Sequence, residues 1–343
     1  MPRLIRTFLL LAGLIASAAQ ASVGLAELPG KAGDGPVTVF YPSSSEAKAV
    51  KRGPYNFTLA HDGTAVAGNR RLIVLSHGSG GSPWPHADLA QRLAEAGFVV
   101  ALPEHQGDNY KDFSKAGPES WKRRPTEVSR AIDIVAADAR FAPLLKFDKV
   151  GLYGMSAGGH TALTLAGGRW SPAALRAHCA AHLEEEFNSC VGLAAELKGD
   201  MFDGFKTSLS RFLINWRLSD SQWNEAHDPR IQAIVANVPY AIDFDLKSLA
   251  QPRVPLGLVL AGQDIWLPSR FHGQAILKAC ATCTLVADLP DASHGSMLSP
   301  QPPYESLPAL LTKLMRDPPG FDRGQVPRVD QLTVGFFRSH LLP

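Results

Sequence analysis

Short apolar runs alternate with amphipathic segments along most of the chain, and this alternation restricts the fold more than any other feature. The runs at 71–78, 98–105 and 149–156 are too short for buried helices and are typical of strands covered on both faces. A segment with helical spacing, such as 86–97, follows each of them. Because such alternation produces a parallel sheet, we predict an α/β fold with a mostly parallel central sheet and helices on both faces.

Other elements extend this pattern towards both ends of the chain. Two runs near the N-terminus, 37–42 and 55–61, have turn-rich neighbours and are predicted as edge strands. A helix is predicted over 125–139, with Pro125 in its first turn. Further strands are predicted at 230–239, 254–264 and 284–290.

Residues 169–229 interrupt the alternation, and we predict that they form a helical cap inserted between two sheet strands. Ser171 suits a helix N-cap and Pro172 the first helical position. Aromatic residues of this segment have two interpretations, an apolar wall over a substrate or the core of the cap itself. They are Trp170, Phe187, Phe202, Phe205, Phe212, Trp216 and Trp223.

The N-terminal residues have the pattern of a secretory signal peptide. Arg3 and Arg6 precede an apolar run that is shorter than the roughly 20 residues a bilayer requires, and Ala19 and Ala21 suit a cleavage site. We expect residues 1–21 to be removed after Ala21 and residues 22–343 to form a single periplasmic or secreted domain without a stable membrane anchor.

The charge balance argues against a polyanion as partner. The chain carries a formal charge of +2, and loss of Arg3 and Arg6 would leave it neutral. A neutral chain lacks the basic surface that nucleic acid requires. The oligomeric state cannot be derived from the sequence.

The four cysteines are expected to form disulfides, because export leads to an oxidising compartment. Three pairings are possible, and short loops favour Cys179–Cys190 and Cys280–Cys283. The motif at 280–283 could belong to a redox pair, but it ends a predicted helix late in the chain instead of opening one. No second Cys-x-x-Cys motif supports a zinc site, so no metal is expected.

Ser156 has the surroundings of a nucleophile. It follows a predicted strand, precedes a predicted helix, and is flanked two positions away by Gly154 and Gly158. A sharp strand-to-helix turn exposes a serine hydroxyl but leaves no room for side chains at those two positions.

Acyl transfer also requires two backbone N–H donors for the developing oxyanion. Ala157, directly after the serine, is one candidate. Ser79 is the other, because it lies in the glycine-rich segment 76–83 after an early strand. His77 in this segment is interpreted as a residue that holds the loop by hydrogen bonds.

Asp264 and His294 complete a predicted triad. Asp264 ends a buried strand, and His294 lies just after the last strand, in the order Ser, Asp, His. Asp243, after the preceding strand, is the alternative acid, and His160 is interpreted as a packing residue. Trp84 directly follows the glycine-rich segment 76–83, and Trp266 lies two residues after Asp264. These two tryptophans are the best candidates for a wall of the substrate site.

Five segments together resemble an α/β-hydrolase: "LIVLSHGSGG", "GFVVALPEHQGDN", "GLYGMSAGGHTAL", "AGQDIWLP" and "ASHGSM". The chain is most similar to the secreted dienelactone-hydrolase-like branch and to the platelet-activating-factor acetylhydrolases. The resemblance implies a serine esterase that acts on small carboxylic esters without a metal or an organic cofactor. Dienelactone hydrolases proper use a cysteine where this chain has Ser156, and the acetylhydrolases would favour Asp243 as the acid.

Three functions therefore follow from the sequence. The first is a secreted serine esterase. A peptidase or an acyltransferase on the same scaffold is the second, because a triad does not select its acyl acceptor. A non-catalytic binding protein with a hydrolase fold is the third, although such proteins usually lose a triad residue that this chain retains.

Overall fold

A twisted sheet of ten strands forms the centre of the molecule. The computed structural model describes residues 22–31 and 33–342, so the predicted signal peptide at 1–21 lies outside the described residues. The strands, including a separate two-stranded pair, are β1 (Ser22–Leu28), β2 (Val37–Ser43), β3 (Lys48–Arg52), β4 (Tyr55–His61), β5 (Leu72–Ser76), β6 (Val99–Pro103), β7 (Val150–Met155), β8 (Arg169–Trp170), β9 (Ile231–Asn237), β10 (Phe244–Asp245), β11 (Leu256–Ala261) and β12 (Thr284–Leu289).

The order of strands in the large sheet is β12-β11-β9-β7-β5-β6-β2-β1-β4-β3. The six strands from β12 to β6 are parallel to one another. Strands β2 and β1 then continue the sheet in antiparallel fashion. The predicted mostly parallel α/β sheet is therefore confirmed, and β7 lies near the middle of its parallel part.

Helices cover both faces of the sheet, and the sheet separates the apolar core into two clusters. Helices α1 and α9 pack together on one face, whereas α2 and α3 pack together on the other. The helices are α1 (Ala87–Glu95), α2 (Pro118–Ala137), α3 (Ala157–Leu165), α4 (Pro172–His182), α5 (Phe187–Val191), α6 (Asp203–Arg217), α7 (Gly273–Ala279), α8 (Ala309–Met315) and α9 (Gln325–Leu341).

The prediction that 37–42 and 55–61 form edge strands is wrong. Strand β2 lies between β6 and β1, and all seven of its residues are buried. Strand β4 lies between β1 and β3. The sheet extends further than the apolar pattern indicates, because β1 pairs with β2 along its whole length and the mostly exposed β3 forms the edge.

The predicted position of Pro125 in a first helical turn is also wrong. Helix α2 begins at Pro118, and Pro125 lies in its interior. Pro118 takes the first-turn position instead, where the missing N–H has no helical partner to lose. The early start matters for the site, because it adds Trp121 and Arg124 to the buried face of the helix.

Three helices, α4 to α6, lie between α3 and β9 in the segment predicted as a cap. Helix α4 begins as expected, because the Ser171 hydroxyl accepts a hydrogen bond from the N–H of Ala174 at 3.1 Å. Strand β8, at the start of the segment, pairs antiparallel with β10. The apolar stripe of α4 and α5 is buried; it consists of Leu175, Cys179, Leu183 and Phe187.

The aromatic residues of this segment divide into two groups. Trp170 and Phe187 are buried and belong to the packed interior. The other five neither form a core nor line the cavity described below, so both interpretations of them are wrong. These exposed residues are Phe202, Phe205, Phe212, Trp216 and Trp223.

Both disulfides join the cysteines that short loops favour. Cys179–Cys190 links α4 to α5, and Cys280–Cys283 closes the turn between α7 and β12. Each therefore restrains a local connection.

In the part of the chain that the structure describes, no helix is long and apolar enough to cross a membrane.

Asp330 on α9 makes the stability of the fold dependent on pH. Its side chain is buried, and this burial raises the pKa of the carboxyl to about 7, although Arg92 lies 3.4 Å away. The folded state therefore retains a proton that the unfolded chain loses near pH 4. Stability should fall as the pH rises from about 4 to 7 and then remain constant with respect to this group.

We predict that Asp330→Asn removes this fall and stabilises the protein above pH 7 by a few kcal/mol, on the order of the shift itself. Urea unfolding at pH 5 and pH 8 measures the effect. Glu95→Gln, at an exposed position on α1, is the control and should leave the pH dependence unchanged. Equal pH dependence in wild type and Asp330→Asn would contradict the prediction.

Candidate active site

The predicted catalytic residues converge at the carboxyl edge of the parallel strands. Ser156 follows β7, Asp264 follows β11 and His294 follows β12. The loop after β5 reaches the same edge, where ligands of open α/β sheets bind. Ser156 and His294 line one cavity together with Ser79 and Ala157, and we call it the central cavity.

Ser156 lies at a strained turn between β7 and α3. Its backbone has φ 56° and ψ −115°, a combination that L-residues rarely adopt. A Cβ on Gly154 would lie 2.0 Å from the carbonyl oxygen of Gly158, and a Cβ on Gly158 would lie 1.9 Å from that of Ser76. Only glycine fits at both positions, so the motif produces the sharp turn that the sequence predicts.

Asp264 and His294 form a buried hydrogen-bonded pair. The distance between His294 Nδ1 and Asp264 Oδ2 is 2.7 Å. The other carboxylate oxygen accepts the N–H groups of Trp266 and Leu267 at 2.9 and 2.8 Å. These bonds fix the carboxylate, which in turn orients the imidazole and leaves Nε2 as the nitrogen available for a proton transfer.

Asp243, the alternative acid, has a different partner. Its Oδ2 lies 3.0 Å from Nε2 of His160, and both side chains are fully buried. The His160 ring stacks on Trp121 and lies edge-on to Trp170, as expected for a packing residue. The geometry thus favours Asp264 over Asp243 as the partner of His294.

The two expected oxyanion donors flank Ser156. Ala157 is the first residue of α3, so its N–H has no partner within the helix. The Ser79 hydroxyl donates to Asp108 Oδ1 at 2.6 Å, and the N–H of Gly80 donates to the same oxygen at 2.9 Å. A single buried carboxylate therefore holds the loop that carries Ser79.

Arg124, which is fully buried, also holds the loop after β5. Arg124 donates to Asp108 Oδ2 at 2.8 Å and to the carbonyl oxygen of His77 at 2.5 Å. Burial opposes ionisation of Asp108, but the Arg124 charge and the bonds from Ser79 and Gly80 hold the pKa of this carboxyl below its usual range. We refer to Arg124 and Asp108 as the loop clamp.

Two histidines next to the loop clamp remain neutral. Burial lowers the pKa of both His77 and His105 well below the usual range, and the Arg124 charge lowers it further. The Nε2 atom of His77 accepts a hydrogen bond from the backbone N–H of His105. The Nδ1 atom of His77 lies 2.7 Å from the carbonyl oxygen of Gly78. His77 thus holds the loop by hydrogen bonds, as the sequence indicates.

The central cavity has a volume of about 480 Å³ and a mainly apolar wall. Trp266 lines it as expected. The expectation for Trp84 is wrong, because this residue does not line the cavity and its ring packs against Phe57 and the guanidinium of Arg52. The wall includes Trp121, Leu175, Leu213, Ile214, Leu218 and Tyr240.

Helix α5 ties the cap to the loop that carries the acid. The Ser189 hydroxyl donates to the carbonyl oxygen of Trp266 at 2.7 Å, and Asn188 donates to that of Ile265 at 3.1 Å. Within the cap, the carboxylate of Glu186 at the start of α5 accepts a hydrogen bond from His178 of α4. The cap is therefore fixed to the loop that follows β11, directly beside Asp264.

Sequence reasoning missed the loop clamp. Asp108 follows a predicted strand at the correct edge, which is the one signal that could have identified it. Arg124 stands beside a second arginine and immediately before the predicted helix 125–139, so it was not assigned to any element. No spacing rule pairs the two residues, because the fold alone brings them together.

We predict that Arg124→Met lowers the free energy of unfolding by about 3–5 kcal/mol, because it leaves the Asp108 carboxylate buried without a cation. Urea unfolding measures the loss. Arg123→Met, at the partly exposed neighbouring position, should cost less than about 1 kcal/mol. Adding Asp108→Asn to Arg124→Met should restore part of the stability. A loss no larger than that of Arg123→Met would contradict the role of the loop clamp.

Comparison with known proteins identifies the family. The model described as "Alpha/beta hydrolase family" matches residues 73–305, which run from β5 to beyond β12 and include every predicted catalytic residue. No curated protein matches the chain. The matched region covers well over half of the sequence. The chain therefore belongs to the alpha/beta hydrolase family.

Proposed function

We propose that the protein is a serine hydrolase that cleaves carboxylic esters through an acyl-enzyme. The observation that carries this proposal is the Asp264–His294 hydrogen bond beside a cavity that the strained Ser156 also lines. A carboxylate-oriented imidazole next to a serine at a sharp turn is the arrangement that serine acyl transfer requires. Family membership supports hydrolysis in general, and the residues support this type of reaction.

In the proposed mechanism, His294 Nε2 takes the proton from the Ser156 hydroxyl as its oxygen attacks the ester carbonyl. Asp264 stabilises the imidazolium that forms and keeps its own negative charge. His294 then gives the proton to the leaving alcohol. A water molecule then attacks the carbonyl of the acyl-enzyme while His294 takes its proton. His294 returns this proton to the Ser156 oxygen as the bond to the acyl group breaks, and the acid is released.

Backbone N–H groups of Ala157 and Ser79 are proposed to bind the oxyanion. Ala157 is at the N-terminus of α3, where the helix dipole also favours negative charge. Ser79 depends on the loop clamp, because Asp108 holds both its hydroxyl and the next N–H. Such fixed donors lower the barrier without reorganising during the reaction.

The lining of the central cavity indicates the substrate class. Its wall is mainly aromatic and aliphatic, and a volume of about 480 Å³ lies within the range of small-molecule sites. We therefore infer a small ester with an apolar acyl group. An esterase is favoured over a peptidase, because a peptide substrate would leave its polar backbone groups against this wall.

Two further proposals concern location and subfamily. Disulfides persist in oxidising compartments, so Cys179–Cys190 and Cys280–Cys283 support export to the periplasm or the medium. The segments quoted above support the secreted dienelactone-hydrolase-like branch, with serine in place of its usual cysteine. N-terminal sequencing of the exported protein tests cleavage after Ala21.

We predict that Ser156→Ala lowers ester hydrolysis on the order of 10⁶-fold, because the triad acts as one unit. Initial rates with p-nitrophenyl esters of increasing acyl length measure the loss and define the preferred substrate. A fluorophosphonate probe should label wild type and not Ser156→Ala. A folded wild type that resists labelling would favour the non-catalytic binding protein.

The two aspartates provide a matched pair for identifying the acid. Asp264→Asn should lower kcat by roughly 10⁴-fold, since the imidazole loses its orientation and its countercharge. Asp243→Asn should change kcat little, because Asp243 contacts His160 instead. Measurement of both at a saturating ester concentration decides the question, and the reverse ranking would assign the role to Asp243.

A further inference from the structure

His86 lines the central cavity, but the proposed mechanism does not use it. The residue is 5% exposed and stands at the N-cap of α1, yet its ring accepts none of the N–H groups at the start of that helix. Within the residues that the structure describes, no group forms a hydrogen bond to the ring nitrogens. Because most buried polar groups in proteins are hydrogen-bonded, the ring is available for a polar group that enters the cavity.

The imidazole of His86 is neutral in the folded protein, because burial lowers its pKa to about 4. A neutral imidazole has one N–H donor and one acceptor nitrogen. It therefore suits an uncharged oxygen function such as a hydroxyl or an ether, and it offers no countercharge to a carboxylate.

His86 belongs to a different side of the central cavity from the aromatic wall. Its ring lies edge-on to Tyr153 of β7, with 6.4 Å between the ring centres. Tyr153 and Leu298 belong to the apolar cluster under α1 and α9. Trp121 and Leu175 belong to the other cluster. The cavity therefore has an apolar side next to the cap and a side next to α1 that contains a hydrogen-bonding ring.

The segment around His86 is attached to the loop that carries the proposed general base. The N–H of Ser299 donates to the carbonyl oxygen of Pro85 at 2.7 Å, and the N–H of Asp88 donates to that of Ser299 at 3.1 Å. Ser299 follows His294 by five residues, and both histidines line the cavity. His86 and His294 therefore lie on the same side of it.

The proposed chemistry determines which part of an ester lies next to His86. His294 must protonate the leaving alcohol, so the alcohol oxygen has to lie within hydrogen-bonding reach of its Nε2. The rest of the alcohol then extends into the side of the cavity that His294 and His86 share. The acyl group leaves the carbonyl carbon in the other direction, towards the aromatic and aliphatic wall.

We propose that His86 determines specificity by forming a hydrogen bond to a second oxygen function in the alcohol part of the ester. The preferred substrates are then esters of hydroxyalkyl or alkoxyalkyl alcohols, in which this oxygen lies a few bonds beyond the ester oxygen. The inference rests on the proposed esterase function and adds a polar alcohol to the apolar acyl group inferred above. His86 takes no part in the proton transfers.

Three butyrate esters of similar size test this specificity. The alcohol of n-butyl butyrate contains carbon only, 2-methoxyethyl butyrate has an ether oxygen in place of one methylene, and 3-hydroxypropyl butyrate has a hydroxyl in place of the terminal methyl. Acid release in a pH-stat gives kcat/KM for each. The quantity of interest is the oxygen preference, defined as kcat/KM for an oxygen-bearing ester divided by that for n-butyl butyrate.

His86→Phe should lower the oxygen preference about tenfold for at least one of the two esters, because phenylalanine keeps a ring and loses both nitrogens. The change should lie in KM, since a bond remote from the reacting atoms is present in the ground state and the transition state alike. Intrinsic differences in ester reactivity are the same for both proteins and cancel in this comparison. His86→Leu is a second variant without ring nitrogens.

Two further kinds of variant separate hydrogen bonding from packing. His86→Asn and His86→Gln supply an amide donor and acceptor at two distances from the backbone, and at least one should restore part of the oxygen preference. Leu213→Met, in the apolar wall, is the matched control. It exchanges one apolar side chain for another and should leave the oxygen preference unchanged. Circular dichroism verifies that each variant is folded.

Ligand binding to the Ser156→Ala protein measures the same contact without catalysis. The ligands are N-(3-hydroxypropyl)butanamide and N-butylbutanamide, in which an amide replaces the ester. Calorimetric titration gives both affinities, and their ratio should fall about tenfold when His86→Phe is added to Ser156→Ala.

Several results would overturn the proposal. One is an oxygen preference that neither His86→Phe nor His86→Leu changes for either ester. Another is an equal fall in Leu213→Met, because the effect would then not belong to His86. Both results leave the proposed esterase function intact. A wild type that hydrolyses none of the esters and resists the fluorophosphonate probe would refute that function, and the amide titration would still decide whether His86 binds an alcohol oxygen.

Discussion

The turn at Ser156 is the constraint on which the arrangement of the site depends. Backbone carbonyl oxygens approach it so closely that neither Gly154 nor Gly158 could carry a Cβ. The strained conformation of the serine costs on the order of 1–3 kcal/mol and persists because the turn is held on both sides. Ser156 N–H donates to Asn237 in β9, and the Ser156 carbonyl accepts from Tyr240 after β9. The neighbouring strand therefore maintains the strain that exposes the hydroxyl.

The position of the loop after β5 depends on a second interaction, the buried ion pair between Arg124 and Asp108. The loop after β5 has little apolar surface of its own, so its position depends on polar contacts with Asp108 and Arg124. A buried ion pair rarely adds net stability, but removing one partner is costly. The position of the loop therefore depends on both charges, because loss of either one leaves the other buried without a partner. Neutral His77 and His105 complete the network without adding charge that Arg124 would repel.

The sequence allowed much of the fold and of the candidate site to be predicted, because the signals were local. Alternating apolar runs indicated the parallel strands, and the spacing of Gly154, Ser156 and Gly158 indicated the turn. Contacts between residues that are distant in the sequence could not be predicted in this way, because no local pattern indicates them. The Arg124–Asp108 pair joins an interior helical position to a loop after another strand, and only the packing of α2 against the sheet creates it.

Trp84 illustrates a different limit. Proximity in sequence to the oxyanion loop suggested a place in the substrate wall, but the chain turns between the loop and Trp84. The ring therefore faces Phe57 on β4. Trp121, which does line the central cavity, lies in a helix whose start the sequence pattern placed too late.

The cap shows why hydrophobicity alone could not assign its aromatic residues. The stripe of α4 and α5 already supplies an apolar interior, and the Cys179–Cys190 disulfide holds these two helices together. Ser189 and Asn188 then fasten α5 to the loop beside Asp264. The interior of the cap is therefore filled by α4 and α5, and the large apolar side chains of α6 remain at its surface.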